Sequence, residues 1–179
     1  MHRIVPGAQD RGNLVADSST STGLAWAAPA GGGKVLQVVS ATTSTATVIA
    51  SETFTDTNLS VSITPSSTNS KVLILVSQSA AVERSDQYPG GAMRLMRGST
   101  SIYDLSGTGF NSTLGYITPG DNTSFLAAYV PMVYLDSPST TSSTTYKTQA
   151  RALTTANSGK ITVQYLTAVS SIIAMEIGA

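Results

Sequence analysis

Leu59-Ser-Val-Ser-Ile-Thr64, the cluster Pro65-Ser-Ser-Thr-Asn-Ser70 and the run Lys71-Val-Leu-Ile-Leu-Val-Ser-Gln-Ser79 form the stretch that decides the fold. In its first third, Leu59, Val61 and Ile63 alternate with hydroxyl residues. Successive side chains of a strand point to opposite faces, so this period of two predicts a strand with one buried and one wetted face. A proline and an asparagine among Ser and Thr then mark a turn. The run after it is apolar at consecutive positions, which predicts a central strand covered on both sides.

The same rhythm continues outward. Upstream, Lys34–Ser40 and Thr45–Thr55 read as strands. Downstream, Ala92–Arg97 alternates with Arg94 opposite Met93 and Leu95, and Ile102-Tyr103 follows the Gly98–Ser101 turn. Phe125–Leu135 reads as a strand with a bulge or a sheet edge at Pro131, because proline cannot donate to a ladder. Thr144–Leu153, Lys160–Leu166 and Ser171–Ile177 complete about eight to ten strands, the spacing of a sandwich. Residues 83–91 and 104–124 are irregular, and loops of that length usually serve binding or contact. The fold class expected is all-β: an antiparallel, jelly-roll-like β-sandwich head over 34–179.

Composition agrees with that expectation. The 179 residues include 26 Ser and 25 Thr, so polarity comes from hydroxyls and only 11% of residues are charged. Thr fits a pleated surface, whereas Ser competes with the backbone of a helix. Net charge is zero, with no basic footprint for nucleic acid and no charged tail. Cysteine is absent, which removes disulfides and thiolate metal sites. Met1-His-Arg-Ile-Val-Pro-Gly7 lacks the apolar stretch of a secretory leader, and no run reaches the ~20 residues of a membrane span.

Residues 1–33 sustain neither period and are punctuated by Pro6-Gly7, Gly12-Asn13 and Gly31-Gly32-Gly33. They read as an extended N-terminal arm that orders only against a neighbour. Leu14, Val15, Leu24 and Trp26 are its candidate docking residues, since a lone Trp is a frequent interface anchor.

Catalytic patterns are sparse. A nucleophilic Ser needs an adjacent base, yet the one histidine is His2 in the arm, and no Gly-x-Ser-x-Gly elbow occurs. Glu83 and Asp86 are the best-placed pair of loop acids, with Arg84 between them. A polysaccharide depolymerase would need two carboxylates about 5–10 Å apart in a groove. Asp121-Asn122 and Asp136 are scattered oxygen ligands rather than a Ca²⁺ loop. Gly31-Gly32-Gly33-Lys34 precedes a strand and reads as a hinge, not a phosphate loop. No cofactor, metal or catalytic residue is assigned, and the chain reads as a non-enzyme. Tyr88, Tyr103, Phe110 and Tyr116 cluster around the two irregular stretches and are the candidate ligand-facing side chains.

Asn13–Val39, Leu59–Val76, Arg94-Leu-Met-Arg-Gly-Ser-Thr100, Leu135-Asp-Ser-Pro138, Thr145-Tyr-Lys-Thr-Gln149 and Ile173-Ala-Met-Glu-Ile-Gly178 together resemble segments of tailed-bacteriophage fibre and virion structural proteins. The resemblance implies a homotrimer in a virion, made in the host cytoplasm, with no catalytic residues to carry over. Partners would be other virion proteins of tail or capsid and a host-surface glycan, with no nucleic acid and no membrane insertion. Two roles remain open. A fibre-like head contacting the host places the 83–91 and 104–124 loops distally. A capsid decoration or head-fibre protein lays residues 1–33, with Leu14, Val15, Leu24 and Trp26 as virion anchors, along other capsid chains.

Overall fold

The structure is a computed structural model that describes residues 13–16, 19, 21–27, 34–85, 89–106, 113–115 and 124–178. Among these described residues thirteen strands run in chain order as β1 (Asn13–Ala16), β2 (Leu24–Ala27), β3 (Val35–Thr43), β4 (Thr47–Ile49), β5 (Thr55–Ile63), β6 (Lys71–Arg84), β7 (Gly90–Arg97), β8 (Thr100–Asp104), β9 (Leu114–Gly115), β10 (Ser124–Asp136), β11 (Thr144–Ala152), β12 (Lys160–Val163) and β13 (Ser170–Ile177). Two single 3-10 turns, Ala156–Ser158 and Tyr165–Thr167, are the only helical pieces among the described residues.

Contacts divide the chain into one unit of residues 1–34 with 179 and a second of residues 35–178. In the first unit, β1 and β2 pair as an antiparallel hairpin with Leu14 opposite Trp26. A hairpin was not legible in a segment without period, because its strands are only four residues each.

The second unit is a sandwich of two antiparallel sheets. One is ordered β3-β13-β6-β12-β4, with β10 on the other edge of β6. The other is ordered β5-β11-β7-β8, with β9 also on β7. β6 organises the first sheet: one of its edges pairs with β13 along Lys71–Ser77 and with β12 along Ala80–Glu83, and its other edge pairs with β10 throughout. Val72, Ile74, Leu59, Ile63, Leu95 and Ile172 are fully or nearly fully buried between the sheets. The alternation at Leu59, Val61 and Ile63 is borne out, each being buried between exposed neighbours. Gly91 marks a close approach of the sheets, for a Cβ there would lie 2.8 Å from Ile161 and 2.9 Å from Val82. Gly98, at φ +56°, makes the tight β7–β8 turn with Ser99, where a left-handed first residue matches the strand twist.

Several boundaries differ from expectation. Thr45–Thr55 is not one strand: it divides into β4 and the start of β5 around a turn at Ser51–Phe54. Lys160–Leu166 is a strand only to Val163, after which Gln164 (φ 51°), Leu166 (φ 51°) and Thr167 (φ 59°) turn left-handed. Of the alternatives at Pro131, the sheet edge is realised; β10 pairs with β6 without a register shift.

Candidate functional site

The two sheets turn very different faces outward. On β5 and β11 the outward positions are Asp56, Asn58, Ser60, Ser62, Thr145, Lys147 and Gln149, all partly or fully exposed. They are tied together side by side. Lys147 Nζ donates to Asp56 Oδ2 at 2.7 Å, Gln149 Nε2 donates to Asp56 Oδ1 at 2.8 Å, and Arg94 Nη2 donates to Gln149 Oε1 at 2.7 Å. The Lys147 hydrogen bond is the main cause holding the Asp56 carboxyl below its ordinary value, with partial burial opposing it and Gln149 assisting. Arg94 also lies over the Phe54 ring, 4.1 Å from its centre, with Arg151 at 5.3 Å.

Within this face β5 bulges. Its pairing with β11 jumps from Ser60 opposite Lys147 to Asp56 opposite Gln149, and Asn58 sits at φ +61°. Asparagine is one of the few side chains that tolerates this conformation. Its Nδ2 is held by Thr47 Oγ1 at 2.9 Å, and the buried Thr57 and Thr148 hydroxyls bond to each other beneath it. The bulge leaves a shallow depression of about 160 Å³ lined by Asp56, Asn58, Leu59, Ser60, Lys147 and Thr148. Bulges commonly mark places where a strand re-aims side chains for contact.

Around Leu73 and Leu75 the outward face of the first sheet is apolar. Val38, Met175, Leu73 and Leu135 form one row across β3, β13, β6 and β10. Ser40, Ile173, Leu75 and Val133 form the next. Val38, Val133 and Leu135 are 54%, 60% and 50% exposed. The expected double cover of Lys71–Val76 is therefore supplied by this chain on the inner side, while Leu73 and Leu75 stay partly exposed on the other.

Three acids serve structure. Glu176 is buried, accepting from Gln37 Nε2 at 2.6 Å, from the Ser66 backbone N–H at 2.7 Å and from the Ser66 hydroxyl at 2.6 Å. Burial raises its pKa, but these donors outweigh it and bring the carboxyl to about 2. Asp136 closes β10 as a buried acceptor for Arg97 Nη1 at 2.9 Å and the Tyr146 hydroxyl at 2.7 Å. Burial, then the Asp136 bond, push the Tyr146 phenol well above its ordinary value. Glu83 is paired with Lys160 Nζ at 2.5 Å, which accounts for one of the two loop acids; Asp86 lies outside the described residues.

Of the candidate ligand-facing aromatics, Tyr103 is in β8, half-buried, with its ring stacked 5.5 Å from Tyr134. That ring is occupied in packing. Tyr88, Phe110 and Tyr116 lie outside the described residues. Leu14, Val15, Leu24 and Trp26 fall on paired positions of the β1–β2 hairpin backbone. The structural roles of Glu176 and Asp136 were missed; Ile172, Ile173, Ala174, Met175 and Ile177 are apolar on both faces of β13, so no period in the sequence marks Glu176 as inward. Among the described residues no group of three His, Cys, Asp or Glu converges to hold a metal ion, and no helix is long and apolar enough to cross a membrane. No protein-family model matches the chain, and no curated protein matches it.

Proposed function

We propose that the protein is a non-enzymatic structural component of a tailed-phage virion, a trimeric fibre-like appendage whose β-sandwich head contacts the host surface. The observation that carries the reading is a pair of unlike outward faces on one sandwich. One is a hydrogen-bonded polar lattice suited to water and to hydroxylated ligands; the other is apolar and suited to neighbouring protein. The resemblance of the ordered segments from Asn13 to Gly178 supplies the virion context. On the polar face, the depression beside Asn58 and Ser60 offers amide, hydroxyl, carboxylate and ammonium groups to a glycan.

A second reading is a capsid decoration or head-fibre protein anchored by its N-terminal arm. It is favoured by the separation of residues 1–34 as a unit with its own hairpin. Immunogold labelling of intact particles with antibody against residues 35–178 tests both. Label at the tail supports the fibre, label over the head supports decoration, and particles without label contradict the virion role.

A further inference from the structure

We infer that the outward face of the β3-β13-β6-β10 sheet is where copies of this chain associate. The conclusion stands on the sheet face alone and holds or fails independently of the virion reading.

The face is half covered already. At the β12–β13 turn, Tyr165 packs on Phe125 with ring centres 5.1 Å apart, and the Tyr129 hydroxyl donates to the Val169 carbonyl at 3.3 Å. Ser79, Ala81 and Thr162, which share that face, are buried there. The turn holds three non-glycine residues in the left-handed region, a conformation costing about 1–3 kcal/mol each. The fold thus tolerates strain to roof this end of the sheet.

The other end has no roof from residues 35–178. Val38, Leu73, Leu75, Val133, Leu135 and Met175 make a continuous apolar surface there. With Val35 and Leu36 beside it, 55% and 49% exposed, its exposed area is of the order of the ~800 Å² that each partner brings to a standard interface. Solvated faces of antiparallel sheets are normally polar, as the opposite sheet of this sandwich is.

A second copy is the occupant that fits. The face carries no charge at its centre; Lys71 stands at one end, and Glu83 and Lys160 at the other are paired with each other. Such faces can gather about a common axis without like-charge repulsion, each meeting its neighbours' apolar rows, and need no partner of another charge. The rows are short, mostly branched or unbranched aliphatic side chains on a regular ladder, and they pack with little loss of side-chain entropy.

The test uses the full chain. Because the protein has no cysteine, Val133→Cys and Ser60→Cys each introduce a single thiol, one on each face. Maleimide labelling of the thiol at position 133 should be at least tenfold slower at high micromolar than at low nanomolar concentration. The thiol at position 60 should label equally fast at both. Light scattering at the higher concentration should give a multiple of the chain mass. Three copies agree with the trimer; two copies keep the interface and overturn the trimer. Slow labelling at both concentrations by a species of single-chain mass would mean that the chain's own arm covers the face, and fast labelling at both that nothing does. Either result overturns the inference.

Discussion

Ten large apolar or aromatic side chains are exposed among the described residues, and all ten belong to the β6 sheet or to the turn between β12 and β13. The β5-β11-β7-β8 sheet contributes none. Both sheets bury the same kind of inner face, so the core does not explain the difference. It lies in the outward positions, where β5 and β11 place Asp, Asn, Ser, Lys and Gln and where β6, β10 and β13 place Leu, Val, Ile and Met. A sheet face is a choice made every second residue. In this molecule one sheet is written for water and the other for protein.

The sharpest way to break the comparison is to truncate neighbours on β6 that point in opposite directions. Ile74→Ala, in the core, should cost roughly 3 kcal/mol in thermal or urea unfolding. Leu75→Ala, one residue away on the outward face, should cost about 1 kcal/mol or less in dilute protein, where copies are apart. At high concentration its cost should grow, because only there does the face lose its water. Equal costs at all concentrations would place both side chains in the same kind of environment.

Glu176 comes next. Replacing it with Gln puts an amide donor against Gln37 and Ser66 and should cost about 2 kcal/mol. The folded carboxyl titrates at about 2, below its ordinary 4.5, so the unfolded chain takes up the proton first as pH falls. The wild-type contribution is complete above pH 4.5 and is lost on descending towards 2. Urea midpoints across that window should slope for the wild type and flatten for Glu176→Gln.

Tyr146→Phe removes the hydroxyl from Asp136 but leaves Arg97 in place, a loss of about 1 kcal/mol. The buried phenol resists ionisation, so its contribution is intact below pH 10 and declines as pH rises beyond it. The variant should lack that part of the alkaline decline. The smallest effect belongs to the polar face. Asp56→Asn weakens an exposed bond to Lys147 and should shift stability by no more than about 0.5 kcal/mol, less in high salt.

The sandwich was legible because its strands advertise their period. Leu59–Ile63 alternates cleanly, and the turns between strands carry Pro, Gly and Asn. The β4 boundary and the end of β12 were not, because Thr-rich and Tyr-Leu segments fit a strand until backbone geometry forbids it. The left-handed residues Gln164, Leu166 and Thr167 have side chains that give no warning of that conformation. The apolar outward face was half legible. The consecutive apolar run at Lys71–Val76 announced two covered faces, but the run itself does not name what covers the second. The bulge at Asn58 was hidden as well, since it depends on the register between β5 and β11.

Hydroxyl-radical footprinting of the full chain at micromolar concentration addresses the contrast between the faces most directly. Val133, Leu135 and Met175 should be oxidised far less than their exposure in one chain implies, and should recover on dilution, while Phe54 and Lys147 should be unchanged throughout. Oxidation of Val133 and Leu135 in proportion to their 60% and 50% exposure at every concentration would contradict it.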